Sequence, residues 1–319
     1  MSAVPLPNFF IAGAGKAGTT SLYHYLRQHP EIYMSPVKEP CYFAPEIRAG
    51  AMDDATQRHV ALQSKSLPEV LGDGGAVKAH GWIAAEWEDY LRLFQGVTGE
   101  KAVGEASAAY LWSETAAANI RARVPEAKIL LILRDPAERA FSQYLHQVSV
   151  GMTGASFREH LTRCREHSGA PCVSATFPFL EAGSYSAQVE RFLASFPREQ
   201  LRIYWYEEAW RNPGELLGDA FRFLEVDASF EVDFSHRDHE RRAPRMRGLH
   251  RGLKRSGLWY PLKALVPRRV VGWLRGAAFR KGKQVTMEAA DRRYLVDYYR
   301  EDIRRLEGLM GRDLAAWLR

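Results

Sequence analysis

The residues best placed to do chemistry cluster near the N-terminus, in the stretch NFFIAGAGKAGTTSLYHYLRQH from Asn8 to His29. Gly13, Gly15 and Gly18 make a flexible turn, Lys16 puts a mobile positive charge inside it, and Thr19 and Thr20 follow. Such a loop can wrap its backbone N–H groups round an anion, and a helix opening at Thr19 adds roughly half a positive charge and unpaired donors behind it. The chemistry indicated is the binding of a phosphate-like group. The spacing misses the nucleotide-triphosphatase pattern G-x-x-x-x-G-K-[ST]. Gly13 and Gly18 fit it, but Thr19 stands where that lysine belongs and Lys16 comes three places earlier. The β and γ phosphates of ATP are therefore a poor match.

Further charged groups stand at two other junctions. Pro36 and Pro40 bracket Lys38-Glu39, which predicts an extended or turned backbone with both charges displayed from a loop. Arg134-Asp135-Pro136 follows the apolar run KILLIL, and Ser142 lies eight residues beyond Arg134, two turns along the next helix, on a face that can share an anion with it. The plainer readings are an ion pair or helix-end contact for Arg134 and a simple N-cap for Asp135. His24 has no motif partner.

The elements that must position these groups follow from hydrophobic pattern. Asn8 to Ala14 predicts a strand, Thr19 onward a helix, Glu31 to Ser35 a second strand, Glu86 to Phe94 a short helix and Ala102 to Glu105 a strand. Glu114 to Arg123 reads as a helix, Lys128 to Leu133 as a strand buried on both faces, and Pro136 to Val148 as a helix with Asp135 as cap. Beyond Gly151 little is legible until a helix over Ser184 to Phe196, a strand over Leu201 to Tyr206 and a helix over Leu216 to Leu224. A long helix over Met287 to Met310 closes the chain, and Leu314 to Leu318 caps it. This alternation predicts an α/β fold with a mainly parallel sheet covered by helices on both faces. In such sheets ligands bind beyond the C-terminal strand ends, so Lys16, Lys38-Glu39 and Arg134 should converge.

At 319 residues, 46% hydrophobic and 26% charged, the chain can bury a full core, and a single domain over residues 1–319 is expected. No apolar run approaches the ~18 to 20 residues of a membrane helix, and MSAVPLPNFF lacks a basic leader, so a cytoplasmic protein is the expectation. Cys41, Cys164 and Cys172 are too few and too irregular for a disulfide framework or a zinc site. The net charge of +6 is local: His236 to Lys283 carries fifteen Lys and Arg against Asp238 and Glu240, which leaves −7 for the rest. Interspersed Trp, Tyr and Leu there suit either an anionic membrane surface at the inner face, with a lipid or glycolipid acceptor, or a helical pair packed on the sheet. Nucleic acid is disfavoured, since base-stacking aromatics do not recur at regular positions.

Four motifs in order give a specific resemblance. They are G-x-x-K-x-G-T-T at Gly13 to Thr20, K-E-P-x-x-F at Lys38 to Phe43, G-E-x-S-x-x-Y-L at Gly104 to Leu111, and L-I-L-R-D-P-x-E-R-x-x-S-x-Y at Leu131 to Tyr144. From Asn8 to Val226 the chain resembles the sulfotransferases that use 3′-phosphoadenosine 5′-phosphosulfate (PAPS), above all the branch with the heparan sulfate N- and 3-O-sulfotransferases and bacterial relatives. The resemblance implies a P-loop-type fold, PAPS as co-substrate, 3′,5′-bisphosphoadenosine (PAP) as product, and no metal. It implies that Lys16, Ala17, Gly18, Thr19 and Thr20 hold the 5′-phosphosulfate, that Arg134 and Ser142 hold the 3′-phosphate, that Lys16 stabilises the transferred charge and that Glu39 is the catalytic base. Lys281, Gly282 and Lys283 match the family's nucleotide-contacting K-G-R loop, with Lys for Arg. One departure stands out: the heparan enzymes have a catalytic lysine in E-K-[ST]-P-x-Y, where this chain has Ala106. The acceptor, a hydroxyl or an amine, stays open among saccharide, lipid, phenol and peptide. Two other readings compete: a P-loop kinase with Thr20 on magnesium and Asp135 as its acidic residue, and a nucleotide-binding protein without turnover.

Overall fold

The computed structural model describes residues 5–47, 86–149, 152–166, 178–235 and 286–319. The basic stretch 236–283, with Lys281, Gly282 and Lys283, lies outside the described residues, as does most of the stretch from Pro45 to Gly81. In chain order the strands and helices are β1 (Phe9–Gly13), α1 (Thr19–Leu26), β2 (Ile32–Met34), α2 (Trp87–Arg92), β3 (Ala102–Ala106), α3 (Ala116–Arg123) and β4 (Lys128–Leu133). Then come α4 (Pro136–Ser149), α5 (Phe157–Glu166), α6 (Tyr185–Ser195), β5 (Leu201–Trp205), α7 (Tyr206–Ala209), α8 (Pro213–Leu224) and α9 (Ala289–Met310).

The sheet has five strands in the order β2-β3-β1-β4-β5, and every pairing is parallel, as the alternation predicted. Strand β1 sits at the centre, with Phe9 to Ile11 opposite Gly104 to Ala106 and Phe9 to Gly13 opposite Lys128 to Ile132. The chain reverses its direction of winding on either side of β1, so a crevice opens at the carboxyl ends of β1, β3 and β4. Burial explains the sequence of the central strands: Phe9 to Ala12 and Ile129 to Leu133 are all fully buried, each large side chain contributing ~1.5 to 3 kcal/mol. Gly13 is needed because β4 passes so close that a Cβ there would stand 2.8 Å from the Ile132 backbone.

Three helix ends show how polar groups fix the layers. Asp135 caps α4, its Oδ1 accepting the N–H groups of Ala137 (2.8 Å) and Glu138 (3.2 Å), while its Oδ2 takes the Arg292 guanidinium of α9 at 2.8 Å. Asp302, also on α9, accepts the N–H groups of Tyr185 (2.6 Å) and Ser186 (3.1 Å) and so caps α6 from outside. The last long helix thus closes two others by their N-termini, where negative charge is favoured. Helix α5, which hydrophobic pattern did not reveal, carries a capping box. The Ser156 N–H donates to Glu159 Oε2 (2.8 Å) and the Glu159 N–H to Ser156 Oγ (3.3 Å), a signal present in the sequence as S-x-x-E. Among the described residues no helix is long and apolar enough to cross a membrane.

Candidate active site

The glycine loop is built by its two neighbours. The Ala14 N–H donates to the Ile132 carbonyl of β4 (2.8 Å), and the Ala17 N–H closes a turn onto Ala14 (3.0 Å). Lys16 and Gly18 then take the left-handed conformation, at φ 73° and 89°. Gly18 is the N-cap of α1 and supplies no side-chain cap, so the first-turn N–H groups of α1 are left for a ligand. The Trp210 indole, following α7, lies over Gly18 and donates to the Ala17 carbonyl at 3.2 Å. Thr19 is buried, and Thr20 and Lys16 are half-buried at the loop.

Arg134 is joined to this loop. Its guanidinium is 3% exposed, donates to the Lys16 carbonyl at 2.8 Å, lies 4.3 Å from the centre of the Tyr206 ring and approaches Glu138 at 3.8 Å. The fork therefore fixes the backbone that presents Lys16 as well as carrying charge into the site. Ser142 is half-buried on α4, and its hydroxyl makes no hydrogen bond among the described residues. Asp135 is the cap of α4, the plainer of its two readings, and both its oxygens are occupied in that role and by Arg292.

The Lys38-Glu39 loop folds down onto the end of β3. The Glu39 N–H donates to the Ala106 carbonyl (2.8 Å), and one carboxylate oxygen of Glu39 accepts the Ala108 N–H (2.8 Å). The other oxygen pairs with the Lys38 ammonium. Lys38 is 3% exposed, which corrects the expectation that both charges are displayed: the turn buries the lysine stem, and the adjacent carboxylate compensates the buried charge. Glu39 and Cys41 both stand at positive φ, 64° and 52°, and for non-glycine residues such strain costs roughly 1 to 3 kcal/mol each and collects where function fixes the backbone.

Beneath that loop lies Glu105, fully buried on β3. It accepts hydrogen bonds from Tyr110 (2.5 Å), Ser107 (2.7 Å) and Tyr90 (3.3 Å). Burial raises its carboxyl to about 7, the hydroxyl donors pull the other way, and the negative charge of Glu39 adds to the rise. Burial likewise pushes the Cys41 thiol well up, so it is an inert packed thiol. Cys41 and Cys164 are both free and buried. Among the described residues no cluster of His, Cys, Asp and Glu could hold a metal ion.

The structure thus brings Lys16, Arg134 and the N-terminus of α1 into one contact, and Glu39 onto the neighbouring end of β3. Sequence reasoning missed Trp210 and Tyr206, which reach the loop from the end of β5. Their only advance signal is topological, since a strand placed next to β4 must deliver its following residues to the same edge of the sheet.

The family model described as "Sulfotransferase family" matches residues 7–229. Carbohydrate sulfotransferase 15 of Rattus norvegicus is 29% identical over 256 residues, covering 69% of this chain and 44% of that protein. Bifunctional heparan sulfate N-deacetylase/N-sulfotransferase 4 of Mus musculus is 27% identical over 322 residues, covering 98% of this chain and 31% of that protein. The chain therefore spans less than half the length of these curated relatives. The crystal structure of a sulfotransferase from Alicyclobacillus acidocaldarius superimposes with a TM-score of 0.70 at 32% identity, over 99% of this chain and 100% of the other. The kinase reading loses its acidic residue to the cap of α4. Breadth of family match and likeness along the whole of a solved relative agree, and the chain belongs to the sulfotransferase family.

Proposed function

We propose that this sulfotransferase-family enzyme moves a sulfuryl group from PAPS to a hydroxyl or amine of a saccharide, with Glu39 as the base. The observation that carries the reading is the single unit formed by the uncapped N-terminus of α1, Lys16 and the Arg134 fork on the Lys16 carbonyl. Its donors fit the anionic phosphate and phosphosulfate groups of PAPS, which when bound would supply an activated sulfuryl on a good leaving group, the bisphosphate. In our reading Thr19, Thr20 and the loop N–H groups hold the 5′ end, Arg134 and Ser142 hold the 3′-phosphate, and Lys16 balances charge on the departing phosphate oxygen. Glu39 accepts the proton of the acceptor as the new bond to sulfur forms and the old sulfur–oxygen bond breaks. Two of its lone-pair directions are taken by Lys38 and the Ala108 N–H, which orient the carboxylate and leave it able to accept. Lys38, buried beside Glu39, stands where added positive charge can offset the Ala106 departure. The saccharide class is drawn from relatives whose names specify carbohydrate and heparan sulfate.

Titration with PAP tests the donor site. Arg134→Ala removes a charge-assisted contact worth ~1.5 to 3 kcal/mol, so PAP affinity should fall about tenfold or more. Equal affinity of wild type and variant would overturn the assignment, and a strong thermal shift with ATP and magnesium but none with PAP would restore the kinase. For the stretch His236 to Lys283 we keep the proposal of contact with an anionic membrane. Sedimentation with vesicles should rise with anionic lipid and fall at high salt, and indifference to both would remove it.

A further inference from the structure

Glu105 poses a question that its burial makes acute. It has no cationic partner among the described residues, and a buried carboxyl satisfied only by neutral hydroxyls is poor for stability compared with an apolar side chain of similar size. What the hydroxyls do next gives the answer. Ser107 Oγ donates to Glu105 and accepts the Cys41 N–H at 3.1 Å. Tyr110 Oη donates to Glu105 and accepts the Phe43 N–H at 3.3 Å. Each hydroxyl has one proton, and with that proton held by the carboxylate its lone pairs face the backbone of the loop. Those two N–H groups sit at the end of the strained Glu39-Pro40-Cys41 turn and two residues beyond it.

We propose that Glu105, as a carboxylate, is a positioning residue that polarises Ser107 and Tyr110 to grip the Cys41 and Phe43 N–H groups and so holds Glu39 in place. Adding a proton to Glu105 puts a donor where an acceptor was. The neutral carboxyl no longer draws the protons of Ser107 and Tyr110 with a full charge, and where its new O–H points at one of these two, that hydroxyl must turn its own proton away from the carboxyl. The hydroxyl oxygens become weaker acceptors, and the grip on the loop N–H groups loosens. The groups that face Glu105 are Tyr90 from α2, Tyr110 from the turn after β3, and Cys41 and Glu39 from the loop after β2, with Lys38 paired to Glu39. Because burial and Glu39 raise this carboxyl to about 7, the switch falls near neutrality.

The sign of the effect separates positioning from plain support. The folded protein binds this proton more tightly than the unfolded chain, so the group favours folding most fully below the ordinary carboxylate pKa of 4.5, and that contribution is lost as pH rises to about 7. Turnover should move the opposite way, rising around pH 7 as the carboxylate forms in the folded protein. The catalytic consequence rests on Glu39 acting as the base, but the loop consequence does not.

Hydrogen exchange on the full chain reads the loop directly. In the wild type, protection of the Cys41 and Phe43 amides, corrected for intrinsic rates, should fall about five- to tenfold between about pH 8 and about pH 6, and in Glu105→Gln it should be low and flat. With PAPS and a saccharide acceptor, the rise in kcat near pH 7 should be absent from Glu105→Gln, with PAP affinity retained. Should Glu105→Gln not fold, Ser107→Ala removes one donor to the carboxylate together with the acceptor of the Cys41 N–H, so the Cys41 amide should lose protection at every pH while the step at the Phe43 amide, held by Tyr110, moves to higher pH. Flat protection in the wild type, or a pH step unmoved by Ser107→Ala, overturns the proposal. A pH-dependent loop in a protein that fails to bind PAP would leave it standing and refute the function proposed above.

Discussion

Replacing Glu39 by glutamine should lower turnover by at least about 100-fold while PAP affinity stays nearly unchanged, because general-base catalysis contributes ~10² to 10⁴ and the amide cannot take a proton. The side chain keeps its shape, and its carbonyl can still accept the Ala108 N–H. The variant also strands Lys38, whose ammonium is buried and paired with that carboxylate. Breaking a buried pair from one side typically costs ~3 to 5 kcal/mol, whereas removing both charges is far less costly. Glu39→Gln should therefore be less stable than Lys38→Met/Glu39→Gln, and both should be slow. Thermal unfolding and turnover measured together give the answer, and a fast, stable Glu39→Gln enzyme would move the base elsewhere.

Gly18→Ala is the second large effect, and it needs no assumption about the reaction. At φ 89° an alanine is strained, and its Cβ would stand 2.4 Å from the Trp210 indole nitrogen and 2.6 Å from the adjoining ring carbon. The indole must move and give up its bond to the Ala17 carbonyl. Backbone strain and the lost contact together should lower stability by about 3 kcal/mol. Against a Trp210→Ala background the same change should cost only the backbone part, about 1 to 2 kcal/mol. Denaturant midpoints for the four proteins of this cycle decide it, and strictly additive costs would show that the indole does not constrain the loop.

Much of this arrangement was legible before any coordinates. The central strands announce themselves because burial on both faces demands uninterrupted apolar runs, as in KILLIL, and the helix after it because Asp135-Pro136 is a start signal that works locally. Lys16, Arg134 and Glu39 could be named because each stands at a strand end. What stayed hidden depends on long-range contact. Nothing near Lys38 in the sequence says that its stem is buried, since that follows from the loop bonding to Ala106 and Ala108, about seventy residues away. Tyr206 and Trp210 have no local signature either, and reach the loop only because β5 pairs with β4. Glu105 could be placed at a strand end and in the G-E-x-S-x-x-Y-L motif with Ser107 and Tyr110, but not its burial or its bond from Tyr90, which comes from another element. Helix α5 was missed for a different reason: its capping box is visible and its buried residues Phe157, His160, Leu161 and Cys164 do fall at helical spacing, but two of the four are His and Cys and the rest of the helix is charged or polar, so the apolar content is low.

The bond between Asp135 and Arg292 spans 157 residues, and that separation has a meaning in time. A ribosome adding ~5 to 20 residues per second needs about 8 to 30 s to bring out Arg292 after Asp135. Through that interval β1, β3 and β4 are complete and α4 already carries its cap, but the face that α9 covers is bare, including Tyr185 at the start of α6. A nascent chain stalled before Ala289 lacks every contact that α9 makes with the starts of α4 and α6. Emergence of Arg292 in the first turn of α9 and of Asp302 about three turns later supplies the contacts that close this flank.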